Sequence, residues 1–227
     1  SVAPRTTIGA VSARQHDVRT AREGVTRTAV LDAARRLFAE SGYGRTSIRQ
    51  LAATAGVAPR TIYLTFGSKR GVLQALADQL SVEAGEAAAR AAGEGLDDPR
   101  GLLALVAGLY RHLYQHGNDV IVLLREGAAS EPDLRAAVEA GLGRSRESVG
   151  ELCERLGELG ALRSGLSVDA AAGHALVLLS HDGYDELVVR RGWSHEQYQQ
   201  WLASSLEGAL LARPGPPPSS PDEGNSR

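Results

Sequence analysis

The chain has no methionine, not even at residue 1, and a single cysteine, Cys153, among its 227 residues. One thiol can neither close an internal bridge nor build a thiolate cluster. A disulfide scaffold is therefore excluded and a reducing compartment, the cytoplasm, is expected. Aromatic residues are scarce, at 4%. Long apolar runs are missing as well: Leu102 to Ala107 and Ala175 to Leu179 fall far short of the roughly 20 residues that cross a bilayer. The first 24 residues scatter Arg5, Arg14, Arg19 and Arg22 among small polar residues, without the apolar stretch of a signal peptide. Runs of β-branched residues and strict apolar alternation are also absent, which removes strands from the expected fold.

What is present suits an ordinary globular protein, with 43% apolar and 23% charged residues. The net charge of -2 hides a polarised distribution. From Val25 to Gly71 eight basic residues (Arg27, Arg35, Arg36, Arg45, Arg49, Arg60, Lys69 and Arg70) stand against Asp32 and Glu40, a net of +6. Residues 1–24 carry +2, which leaves -10 for residues 72–227. A compact positive block ahead of an acidic body points to a polyanionic partner for the first and a different task for the second.

Apolar residues recur at spacings of three and four, so the chain reads as all-α. Thr26 to Ser41 carries Val30, Ala33, Ala34, Leu37 and Phe38 on one stripe and stops at Gly42 and Gly44. Thr46 can cap a short second helix that ends at Gly56, and Pro59 suits the first position of a third that ends at Gly67. Ser68 caps a long fourth helix. Pro99 to about Gly117 forms a helix apolar on most sides, followed by a shorter piece from about Asn118 to Ala128. Ser130-Glu131-Pro132-Asp133 reads as a capping box ahead of another long helix, broken at Gly160 and Gly165. Ser167 and Ser194 cap the last two helices, and the Pro-rich stretch 213–227 reads as a disordered tail. The expected division is a flexible extension at 1–24, a basic three-helix head at 25–71, a larger helical body at 72–212 and the tail.

Three short helices joined by a glycine turn inside a +6 block are the parts of a helix-turn-helix, whose last helix lies in the major groove. From Ala33 to Leu73 the residue string resembles the tetracycline-repressor (TetR) family of transcriptional regulators. It includes Ala34, Leu37, Phe38 and Gly42-Tyr43, then Thr46-Ser47-Ile48 leading to Leu51-Ala52. Ala55-Gly56-Val57 follows, and then Thr61-Ile62-Tyr63, Phe66, Ser68-Lys69 and Leu73. The chain departs from the family pattern at Ala58, where a Ser is common, and at Thr65, where an aromatic or His is common.

Each head residue also has a physical reading. Arg60 and Thr61 point away from the Ile62 and Phe66 face and can reach base edges, Arg60 as a fork on guanine O6 and N7. Arg49, one turn into the second helix, can contact bases or backbone, and Thr46, Ser47, Tyr63 and Lys69 have the chemistry of phosphate contacts. Thr46 and Ser68 also suit plain helix caps. Arg14, Arg19, Arg22 and Arg27 read either as a minor-groove arm or as a solvated tail.

For the body, the resemblance implies a small-molecule effector bound between helices and a dimer made through the last two helices. Tyr110, Tyr114, Arg125, His174 and His181 are polar groups on otherwise apolar helices and form a candidate pocket, although a core role for His174 stays open. Tyr198, Trp201, Leu202, Leu206 and Leu210 form an apolar face offered as the dimer interface. No metal or cofactor is expected: His112 and His116 have helical metal-pair spacing but no carboxylate completes a set. Ser180-His181-Asp182 cannot form a catalytic relay on a helix, and Cys153 reads as a packed thiol, so no enzyme is expected. The reading is a homodimeric, DNA-binding repressor released from a palindromic double-stranded operator by a small molecule. An activator, a ligand-independent regulator and a small-molecule-binding protein without DNA binding are the alternatives.

Overall fold

The structure, a computed structural model, describes residues 8–92 and 98–212. The tail expected at 213–227 and the side chains of Arg5, Arg14, Arg19 and Arg22 lie outside what is described. The first helix, α1, runs from Ile8 to Ser41, so residues 8–24, read as an extension, continue it in the N-terminal direction. It ends at Gly42, whose φ of 81° needs no Cβ and whose N–H returns to Phe38 O at 3.0 Å.

Helix α2 spans Ile48–Ala55, and its cap is Ser47 rather than Thr46. Ser47 Oγ accepts from Gln50 N at 3.3 Å while Gln50 Oε1 accepts from Ser47 N at 2.8 Å, a reciprocal capping box. Helix α3 spans Pro59–Phe66, with Pro59 in its first turn and no side-chain cap from Ala58. Helix α4, Lys69–Ala92, is capped by Ser68, whose Oγ accepts from Gly71 N at 3.0 Å.

Helix α5 is one unbroken element from Pro99 to Gly127, where two pieces were expected. Gly117 does not interrupt it: a Cβ there would lie 2.9 Å from Leu80 Cδ1, so the glycine lets α4 and α5 approach closely. Helix α6 follows over Pro132–Glu158. The expected Ser130 cap is absent, because Ser130 Oγ donates back to Gly127 O at 3.3 Å. Helix α7 (Val168–Leu178), a short α8 (His181–Tyr184), a π-helical turn (Asp185–Arg190) and α9 (His195–Leu210) complete the described chain. Ser167 and Ser194 cap α7 and α9 as their spacing suggests.

The described residues fall into two compact units, one within Ser1–Glu86 and Leu113–Leu142, the other within Ala87–His112 and Gly143–Arg227. The core of the first contains Val30, Leu31, Ala34, Phe38, Leu51, Ile62 and Leu73 and continues through Leu80, Val120, Leu124 and Leu134. The head therefore shares its core with α4, the second half of α5 and the start of α6, and no gap in packing follows residue 71. In the second unit Leu103, Ala107, Val149, Cys153, Leu156, Ala171, Ala175, Tyr184, Tyr198, Leu202, Leu206 and Leu210 are buried. Burial pushes the Cys153 thiol up, which leaves it a packed, unreactive group.

Candidate nucleic-acid interface

Helix α3 has eight residues and two faces. At about 100° per residue, Ile62 and Phe66 share one side, and Ile62 is fully buried there with Phe66 half-buried beside it. The opposite side faces solvent. Arg60 is exposed, Tyr63 is 54% exposed and Leu64 is 77% exposed, while Thr61 is half-buried at the edge. Arg60 and Arg49 make no hydrogen bond or ion pair among the described residues, so both guanidinium forks are available. Leu64 was not singled out as a site residue in the sequence. Its signal was there, four residues after Arg60 and opposite the apolar stripe.

Two expected phosphate contacts are otherwise engaged. Thr46 is 2% exposed, and its hydroxyl donates to Gly42 O at 2.9 Å and Leu37 O at 3.3 Å. It ties the turn after α1 to the last turn of that helix, so its side chain does not face a phosphate. Lys69 is half-buried; its ammonium donates to Tyr43 O at 2.9 Å and lies 4.2 Å from the centre of the Tyr43 ring. Ser47 remains exposed at the start of α2 beside its capping partner. Arg27 is no free arm: it lies on α1 with its guanidinium 5.1 Å from the centre of the Phe66 ring.

Tyr43, named only as part of the family string, organises this end of the unit. Its ring is 3% exposed and stands edge-on to Phe38 at 5.1 Å, and its hydroxyl donates to Asp133 Oδ2 at 2.7 Å. Burial, then the Asp133 hydrogen bond, pushes the phenol far above its ordinary range. Arg70 Nε lies 4.0 Å from the other Asp133 oxygen. A second tie joins α1 to α5: Arg35 donates to Asp119 Oδ2 at 2.6 Å and Oδ1 at 2.5 Å, and also to His116 O. Burial raises the Asp119 carboxyl, but the Arg35 hydrogen bond and charge outweigh it and hold the group below the ordinary carboxylate range. The same bond raises the Arg35 guanidinium further. The reading helices thus sit on a platform whose polar ties end at Asp119 and Asp133, about 80 to 90 positions downstream.

Residues 30–76 match the bacterial regulatory proteins, tetR family. Over residues 30–76 the chain carries the DNA-binding region of TetR-family transcriptional regulators. It is 29% identical over 152 residues, 66% of its own length and 76% of the relative's, to YvkB, an uncharacterized HTH-type transcriptional regulator of Bacillus subtilis (strain 168). Among solved structures it resembles the SmeT–triclosan complex, with a TM-score of 0.68 and 21% identity over 86% of this chain and 99% of that one. SmeT is the repressor of the Stenotrophomonas maltophilia multidrug efflux pump SmeDEF. It also resembles NalD, the secondary repressor of the MexAB-OprM multidrug efflux pump in Pseudomonas aeruginosa. That match has a TM-score of 0.63 and 25% identity over 82% and 96% of the two chains. At such identities these likenesses speak to the all-α fold.

In the second unit the expected dimer residues need correction. Tyr198, Leu202, Leu206 and Leu210 are 0% exposed within a single chain. Their stripe is the inner face of α9, which packs against α7, and no partner can reach it. Trp201 alone of the five is only partly buried, and with Trp193, Gln197, Gln200 and Ser204 it lines a shallow recess of about 310 Å³.

The expected pocket residues are divided between the units. Tyr114, buried, and Arg125, exposed, lie in the first. Tyr110, His174 and His181 lie in the second. Tyr110 shares a 2.6 Å hydrogen bond with Ser145, and His181 is 8% exposed. His174 is exposed on α7, which corrects its reading as a core histidine. Also in the second unit, Tyr184 and Tyr198 meet edge-on at 5.3 Å, and Tyr184 Oη lies 3.1 Å from His195 Nε2. The Tyr198 hydroxyl is buried without a hydrogen-bond partner among the described residues.

Proposed function

We propose that this regulator is a cytoplasmic homodimeric repressor that grips a palindromic operator with two copies of α3 and is released by a small-molecule effector. The observation that carries the DNA reading is the outward face of α3, where an unpaired Arg60 stands beside Thr61 and Tyr63 within a +6 block. On this reading Arg60, Thr61 and Arg49 contact base edges, while Ser47 and Tyr63 contact phosphates and fix register. Lys69 joins them only by leaving Tyr43.

Dimerisation is supported by apolar surface on the last helices that the chain leaves uncovered. Val177 is 73% and Val168 36% exposed on α7, and Trp201 on α9 is only partly buried. Two heads related by a two-fold axis then demand half-sites about 34 to 36 Å apart, or a multiple of that. An effector is supported by the orphan Tyr198 hydroxyl, since a buried hydroxyl without a partner costs about 1–3 kcal/mol and an acceptor on a bound molecule would remove that cost. SmeT, a fold relative, is known in complex with triclosan. An effector shifts the operator equilibrium by its differential affinity for the two head arrangements. The Arg35–Asp119 and Tyr43–Asp133 ties carry a movement of α5 or α6 to the head, and α4 does so from Lys69 onward.

The test is retention of the purified full chain on a random-sequence duplex at two salt concentrations, with its sedimentation measured alone. A salt-sensitive, dimeric, duplex-binding protein supports the reading. A protein that ignores every duplex in dilute buffer overturns it.

A further inference from the structure

Packing leaves Leu64 unexplained. It has the largest fractional exposure of the large apolar side chains described, 77%, on a helix of only eight residues. At about 100° per residue the buried direction of α3 lies midway between Ile62 and Phe66, and Leu64 points directly opposite. It follows Arg60 by four residues and Thr61 by three, so the three side chains share one outward surface. A leucine there gives the folded chain nothing that alanine would not. On the DNA-binding reading proposed above, the partner of this surface is the major groove, where each base pair offers donors, acceptors and one apolar group, the pyrimidine 5-methyl of thymine. The surrounding +6 charge fits a duplex and no apolar protein surface.

We infer that Leu64 reads a pyrimidine 5-methyl group, so that each half-site carries a thymine packed on Leu64 next to the base pair held by Arg60. The inference rests on the DNA-binding reading. A 5-methylcytosine presents the same methyl group, and the two sources are separable by base substitution.

The experiment selects binding duplexes from a randomised library with the full chain. Each thymine of the selected site is then replaced in turn by uracil, which removes only the methyl, and dissociation constants are measured by fluorescence anisotropy. One thymine per half-site is expected at which uracil weakens binding about fourfold, the worth of one buried methyl. Leu64→Ala brings that uracil-to-thymine ratio to about one, while Tyr63→Ala weakens both duplexes equally and keeps the ratio. Unchanged melting of Leu64→Ala shows that folding is not at issue. If no thymine is methyl-sensitive but 5-methylcytosine in place of a cytosine strengthens binding in a Leu64-dependent way, the methyl is read from that base. A ratio that survives Leu64→Ala, or a site insensitive to every methyl, overturns the inference and leaves the DNA-binding reading standing. A selection that enriches no duplex overturns both.

Discussion

Tyr43→Phe removes one oxygen and leaves every ring contact in place. The Phe38 edge at 5.1 Å and the Lys69 ammonium at 4.2 Å need only the ring, and the 2.9 Å bond from Lys69 goes to the Tyr43 backbone. What is lost is the 2.7 Å hydrogen bond to Asp133. A hydrogen bond to a charged group is worth about 1.5–3 kcal/mol. The Asp133 side chain is 39% exposed, so water can take the place of the phenol and the lower end applies, about 1–2 kcal/mol. For a chain of this size that lowers the melting temperature by about 2–8 °C. The assay is thermal and urea unfolding followed by circular dichroism at fixed protomer concentration, because dimerisation would shift both midpoints. Asp133→Asn completes a double-mutant cycle, in which the pair should couple by about 1 kcal/mol. A Tyr43→Phe protein within about 0.3 kcal/mol of the parent, or a cycle with no coupling, refutes the claim that this bond fastens the head to α6.

The other polar and buried groups give three further outcomes. Asp119→Asn should cost about 1 kcal/mol, a figure already reduced for the solvent that screens a half-exposed pair. Because the Asp119 carboxyl is held below its ordinary range, the Arg35 pair stabilises the fold above about pH 4 and is lost as the pH falls further. Acid unfolding of the parent and of Asp119→Asn should therefore converge at low pH. Tyr198→Phe should stabilise the ligand-free protein by about 1 kcal/mol, since it deletes a buried hydroxyl that has no partner. A destabilised variant would reveal a bond that the hydroxyl makes. Burial raises the phenols of Tyr43, Tyr110, Tyr184 and Tyr198. The unfolded chain ionises near pH 10 while the folded chain holds its protons, so their contribution is full below about pH 10 and disappears as the pH rises. The urea midpoint should fall steadily above that pH.

The head was legible because its signals are local. The stripe of Val30, Ala33, Ala34 and Phe38, the Gly56 terminator and Pro59 at a helix start each act within one or two turns, and the sequence places them within a residue or two. Thr46 and Ser47 were confused because both are hydroxyl residues at the same boundary, and only Gln50 three residues on decides for Ser47. The tie of Lys69 is illegible for another reason: its partner Tyr43 is 26 positions away, and no periodicity records that pairing. Asp119 and Asp133 belong to the same class of long-range choice. In α9 the spacing of Tyr198, Leu202, Leu206 and Leu210 correctly marks a buried face. A periodic stripe carries no label for what covers it, and here it is the chain's own second unit, not a partner.

Operator recognition depends on base reading by the outward face of α3. Arg60→Ala, titrated against a panel of single-base variants of the selected operator, tests this most directly. Loss of preference at one base pair per half-site, by about 1–3 kcal/mol, with the order at all other positions kept, is the predicted result. An unchanged ranking across the whole panel would contradict it.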